Sequence, residues 1–248
     1  MREARLTEGS WSEVKPLHQA AARRGPPPHL HLRRKWGGSL ERQAHLDFAS
    51  HQRQSARMTA KAALRAQLRA ARRDHVASLA QSTRALILHR PPAPLLALVP
   101  DGATIGLYHA APYEAPTAGY ARFFHERGHG LALPRFAHRR AAMEFATYRD
   151  PWDDSDCEVG PFGLMQPGAD AAVVTPDIVF VPVLGFTADG ARLGQGAGHY
   201  DRWLEANPGV PAIGLAWDIQ LKEHLPIEAH DRTLSAVITP TRLFGSFA

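Results

Sequence analysis

The apolar positions change their period near residue 100. Between Ala60 and Arg73 the chain is dense in Ala, Leu, Arg and Gln, all strong helix formers, and Leu64, Leu68 and Ala71 make an apolar stripe at helical spacing. Thr59 stands where an N-cap belongs, so the pattern predicts a helix over 60–73. A second helix is predicted over Val76 to His89, ended by Pro91-Pro92-Ala93-Pro94. Beyond it, short apolar runs at 103–108, 130–133, 143–148, 177–181, 212–216 and 235–239 predict strands; Asp177-Ile178-Val179-Phe180-Val181 is the clearest. Helices are predicted over Thr117–Arg127 and from about Gly198. Strands alternating with helices imply an α/β layer fold on a mostly parallel sheet. No internal repeat is present.

Residues 1–57 show neither period. The segment carries Arg23-Arg24-Gly25-Pro26-Pro27-Pro28 and few spaced aliphatics, too little apolar surface to offset ordering, so it is expected to stay mostly disordered. We therefore expect a basic N-terminal extension over 1–57 and one folded domain over 58–248. The net charge of +5 invites a nucleic-acid reading, but its placement argues otherwise. Eleven of the 29 Lys/Arg and five of the 24 Asp/Glu fall within 1–57, leaving 18 against 19 in the domain. A basic arm for RNA or an acidic partner is the alternative reading of 1–57. An upstream extension ahead of Met58 is the simpler one. His29 and His31 have no further ligands nearby at metal-binding spacing.

No stretch approaches the ~20 apolar residues of a membrane helix, and no apolar h-region follows Met1, so no membrane partner and a cytoplasmic location are expected. Cys157 is the only cysteine, which excludes an internal disulfide and fits a reducing compartment.

The segment that carries chemistry runs from Val183 to Arg202. It follows the clearest strand and leads into a helix. Gly194, Gly196 and Gly198 let the backbone approach a ligand, and N–H groups at the start of the next helix make an anion site. Arg192 sits at the mouth, where its fork suits phosphate oxygens. No Gly-Lys-Ser/Thr follows, so this is not a Walker loop, and G-x-G-x-G is not the dinucleotide fingerprint.

Phe180-Val181-Pro182-Val183-Leu184-Gly185-Phe186, Asp189-Gly190 and Arg192-Leu193-Gly194-x-Gly196-x-Gly198-x-Tyr200-Asp201-Arg202 resemble the signature of 5-formyltetrahydrofolate cyclo-ligases. Lys61-Ala62-Ala63-Leu64-Arg65 matches that family's K-x-x-L-R opening. Ile213–Gln220 and Leu225–Asp231 resemble its closing blocks. The resemblance covers about 58–240. It implies a NagB/RpiA/CoA-transferase-like fold, a three-layer α/β/α sandwich with a mostly parallel sheet. It also implies ATP as co-substrate, Mg²⁺ as cofactor and 5-formyltetrahydrofolate as substrate.

By that resemblance Lys61, Arg65, Arg192, Leu193, Gly194, Gln195, Gly196, Ala197, Gly198, His199 and Tyr200 bind the nucleotide. Arg192 and Tyr200 are the catalytic candidates. His109 and Glu114 line the folate site, with Thr117 also fitting the pattern, and Asp201 and Asp231 are the metal ligands. Arg69 shares a helix face with Lys61 and Arg65 but is not carried over. The chain departs from the family at His199, where a Tyr is usual, at Ala197, usually Gly or Lys, and at Gln166, where many relatives carry Glu. The implied partners are small molecules, not nucleic acid or membrane, and a monomer is expected. The implied reaction is ATP-dependent closure of 5-formyltetrahydrofolate to 5,10-methenyltetrahydrofolate. The alternative is a relative of the same fold that binds folate or nucleotide without turnover.

Overall fold

Side-chain parity along the central strands shows how the layers are built. A computed structural model describes residues 37–228 and 231–245 of the chain. Seven strands form the main sheet: β1 Thr104–Gly106, β2 Gly130–Arg135, β3 Glu144–Tyr148, β6 Ile178–Pro182, β9 Ala212–Leu215, β10 Ala236–Ile238 and β11 Leu243–Gly245. Their order is β11-β10-β9-β6-β1-β2-β3. The five inner strands pair in parallel, and β3 and β11 close the two edges antiparallel. Two-stranded pairs stand apart: β4 Cys157–Val159 with β5 Met165–Pro167, and β7 Gly185–Phe186 with β8 Arg192–Leu193.

Alternate residues of one strand face opposite layers. Ile178 and Phe180 join Ile105, Leu131 and Ile213 under helix α4, Ala118–His125, which contributes Tyr120, Phe123 and Phe124. Val179 and Val181 join Phe145, Ala212 and Val237 under helix α5, His199–Ala206, through Trp203 and Leu204. A parallel sheet covered on both faces needs such continuous apolar runs. This is the α/β sandwich that the alternation predicted.

The front of the chain differs from expectation. The chain divides into two compact units, Met1–His51 and Gln52–Ala248. Helix α1 runs Gly37–Ser78, so Thr59 lies inside it rather than capping it, and 37–57, expected without regular structure, is helical. Once a helix is nucleated, each added residue brings one hydrogen bond, and Leu40-Glu41-Arg42-Gln43-Ala44 favours that extension. Residues 1–36 lie outside the described residues. The helix predicted over 76–89 is divided between the end of α1 and a short α2, Gln81–Leu86. The proline run behaves as expected: Pro92 caps the one-turn helix α3, Ala93–Leu96. Among the described residues no helix is long and apolar enough to cross a membrane.

Candidate active site

Three segments meet beyond the C-terminal ends of β1 and β6. These are α1, the loop after β1 and the loop from β8 into α5.

Helix α1 is held there by packing. Leu68 is 2% exposed and clusters with Leu184 and Leu193, with Leu64 and Leu225 against them. A Cβ on Gly185 would stand 2.9 Å from Leu68 Cδ1, so this glycine sets how closely the helix approaches. Leu193, placed by resemblance at the nucleotide, therefore also packs the helix.

That docking brings the basic face of α1 onto the glycine loop. Arg65 Nε donates to the Gly194 carbonyl at 3.1 Å. Arg69 donates to Gln195 twice, to Oε1 at 2.9 Å and to the backbone carbonyl at 3.0 Å. Lys61, 7% exposed, pairs with Glu228 at 2.8 Å and Asp231 at 3.1 Å. Gly196, at φ +110°, would place a Cβ 3.4 Å from the Arg65 guanidinium carbon; only glycine combines that backbone with that approach. Arg69 and Arg72 also stand in this region, two positions that the resemblance did not carry over. The signal was the helical spacing of basic residues, which continues past Arg65.

The loop after β1 is pinned at several points. The Tyr108 hydroxyl donates to Ala115 O at 2.8 Å, Thr117 Oγ1 donates to Tyr108 O at 2.6 Å, and Trp217 Nε1 donates to Tyr113 O at 2.9 Å. Glu114 is thereby aimed inward. Its carboxylate accepts from Ala111 N at 3.1 Å and from Gln195 Nε2 at 3.4 Å, and it stands 3.6 Å from Arg72 Nη1. Glu114 and the glycine loop, distant in sequence, thus share one site. His109 turns elsewhere: its Nε2 meets Asp154 at 3.3 Å, and its Nδ1 is buried with no partner among the described residues.

The β7–β8 hairpin turns at Asp189-Gly190 and pairs Arg192 with Phe186. Arg192, 6% exposed, is ion-paired with Asp201 in the first turn of α5. Gly198, at φ +66°, ends the loop in a left-handed turn before α5. Ala197 is exposed on the loop. The Tyr200 phenol is pushed far up by burial and then by the Glu114 charge, with Arg192 opposing, so at neutral pH it is a proton donor rather than a base. His199 packs its ring against Phe136 at 4.7 Å and Phe162 at 5.5 Å, and its Nδ1 lies 3.1 Å from Arg202. Burial, then Arg202, lowers its pKa. Gln166 spans back to Phe136, bonding its N–H and its carbonyl.

Asp201 and Asp231 each stand beside a cation of the chain, Arg192 and Lys61 respectively. Asp231 also accepts from Glu228 N at 2.7 Å. Ala229 and His230, within the closing block, lie outside the described residues.

Comparison with known proteins bears on the family and the fold. The profile of the 5-formyltetrahydrofolate cyclo-ligase family matches residues 57–240. The 5-formyltetrahydrofolate cyclo-ligase of Escherichia coli K12 is 38% identical over 87 residues, 33% of this chain and 48% of that protein. That of Mycolicibacterium smegmatis is 37% identical over 86 residues, 33% of this chain and 44% of that protein. The chain thus spans about half the length of the curated relatives it matches. In fold it is similar to the 5,10-methenyltetrahydrofolate synthetase of Aquifex aeolicus, with a TM-score of 0.60 and 24% identity over 75% of this chain and 92% of that one. The Mycoplasma pneumoniae synthetase superposes with a TM-score of 0.51 and 21% identity over 72% of this chain and 97% of that one. With a family profile matched along nearly three-quarters of its length, the chain belongs to the 5-formyltetrahydrofolate cyclo-ligase family.

Proposed function

We propose that the protein catalyses ATP-dependent cyclisation of 5-formyltetrahydrofolate to 5,10-methenyltetrahydrofolate, releasing ADP and phosphate. The observation that carries this reading is the convergence on one loop. The basic face of α1 reaches the glycine loop through Arg65 and Arg69, and the same loop reaches Glu114 through Gln195. On this reading a site for phosphate and a site for a ring with N–H donors would be adjacent.

The N5-formyl oxygen attacks the γ-phosphorus of ATP, and ADP leaves. N10 then attacks the formyl carbon, and phosphate leaves with the former formyl oxygen and takes up the N10 proton as the methenyl bridge closes. The protein supplies position and charge. Arg65 keeps donors free beyond its bond to Gly194 and lies along the path that phosphates would take over Gly196. Arg192 is held by Asp201 at the loop mouth, where it would hold transferring phosphoryl oxygens. Glu114 would accept from the pterin N–H groups and so orient the formyl group toward the nucleotide. Tyr200, protonated in this setting, would donate a hydrogen bond, not remove a proton.

Magnesium fits the donors present. Asp201 and Asp231 are hard oxygen ligands, their side chains 23% and 18% exposed, and this ion takes one or two carboxylates with phosphate and water completing its shell. These two would hold it, and when bound it would neutralise charge on the triphosphate.

The test is turnover: formation of methenyltetrahydrofolate, followed by absorbance, with purified protein, ATP, magnesium and 5-formyltetrahydrofolate. Absence of product while both ligands bind would leave the non-catalytic binding relative as the correct reading.

A further inference from the structure

Arg72 continues the basic face of α1 past Arg69, and its side chain is only 7% exposed. Its Nε and Nη1 are buried without a hydrogen-bond partner among the described residues. The Glu114 carboxylate lies 3.6 Å from Nη1, within ion-pair range but beyond a hydrogen bond. A guanidinium at that depth with idle donors is costly unless something completes its bonding. Glu114 is equally deep, 8% exposed, and a carboxylate with its present partners keeps lone-pair capacity to spare. Tyr108, Thr117 and Trp217 pin the loop, and Glu114 adds a bond to Ala111 N, whereas Arg72 meets the loop only through its ion pair with Glu114. A buried donor set therefore stands beside a buried acceptor set, at the point where α1, the glycine loop and the loop after β1 meet.

We propose that Arg72 is a further substrate-binding residue, donating to the ring oxo group of the folate while Glu114 accepts from the N–H donors beside it. This deepens the function proposed above and rests on it. The reduced pterin of 5-formyltetrahydrofolate contains a 2-amino-4-oxopyrimidine, whose edge presents an amino N–H, a ring N–H and an oxo acceptor in sequence. A carboxylate takes the first two and a neighbouring guanidinium the third. Phosphate is the other acceptor that a basic helix could hold. The carboxylate beside Arg72 disfavours it, because Glu114 would repel an incoming phosphate but not a neutral oxo group. Arg65 and Arg69, by contrast, face the loop itself. Burial lowers the pKa of Arg72 and the Glu114 charge opposes that shift, so the two groups already support each other before a ligand arrives.

The experiment compares two ring chemistries. Affinities of the intact protein for 5-formyltetrahydrofolate and for its 2,4-diamino counterpart, in which the oxo acceptor becomes an amino donor, are measured by calorimetry without ATP. The KM for ATP is measured in parallel. Arg72→Met is expected to lose about tenfold or more in affinity for the oxo ring, and much less for the diamino ring, with the ATP KM unchanged. Arg72→Gln offers a neutral donor and acceptor and is expected to erode the same preference. It carries the comparison if the Met variant does not fold. Equal losses for both rings, an unchanged oxo preference, or a raised ATP KM with folate affinity intact would each overturn the assignment. Wild-type protein that binds neither ring would instead overturn the function proposed above.

Discussion

The docking of α1 can be tested by a double-mutant cycle on Leu68 and Gly185. Leu68 is 2% exposed in a three-leucine cluster, so Leu68→Ala should cost about 3 kcal/mol through lost burial and the cavity left behind. Gly185→Ala should also destabilise. Its new Cβ would lie 2.9 Å from Leu68 Cδ1, whereas the next atoms, Leu225 Cδ2 at 3.6 Å and Gln220 O at 3.7 Å, are at ordinary contact distance. Overpacking of that kind costs roughly 1–3 kcal/mol. The strain comes from one methyl group, and Leu68→Ala removes it. The double variant should therefore be close to Leu68→Ala alone, with a coupling of about 1–2 kcal/mol. Urea unfolding of the four proteins gives the cycle. The same helix carries Lys61, Arg65 and Arg69, so Leu68→Ala should also raise the KM for ATP, where Gly185→Ala does so less. Additivity within about 0.5 kcal/mol would refute the argument, because it would mean that Leu68 does not set the approach at Gly185.

Asp201→Asn should cost about 2–3 kcal/mol as well as activity, because it leaves the 6%-exposed Arg192 without its charge partner; unchanged urea midpoints would show that the pair contributes nothing to stability. His199 has a pKa lowered below 6.5, so the folded state binds its proton less readily than the unfolded one does. Its contribution is complete above 6.5 and is lost as pH falls through the lowered value, and His199→Phe should flatten the melting temperature across that window. Burial, then neighbouring aspartates, pushes the Cys157 thiol up to about 12, so native protein at neutral pH should react with iodoacetamide far more slowly than unfolded protein; equal rates would count against that environment.

How much of this was legible in the sequence depends on whether a feature is local. The parallel sheet was, because buried strands such as 178–182 are continuous apolar runs that little else produces at that length. The glycine loop was, because positive φ and close approach leave glycine few substitutes, as Gly196 and Gly198 show. The length of α1 was not: helix propagation upstream of Thr59 depends on the helix already formed, and the local pattern there carries no apolar stripe. The hairpins β4–β5 and β7–β8 were missed because strands of two or three residues are too short to display a period. At the site, the basic spacing on α1 announced a charged face but not what it would face. Lys61, Arg65, Arg69 and Arg72 look alike as a solvated stripe, yet one is buried against carboxylates, two bond the loop and one is ion-paired with Glu114 while its Nε and Nη1 stay without a hydrogen bond among the described residues. What separates them is the depth at which Leu68 seats the helix over Gly185, a tertiary distance with no counterpart in sequence spacing. On the function proposed above, the same distance would decide which cation meets phosphate and which meets the pterin, so the packing of one leucine on one glycine would belong to the chemistry as much as to the fold.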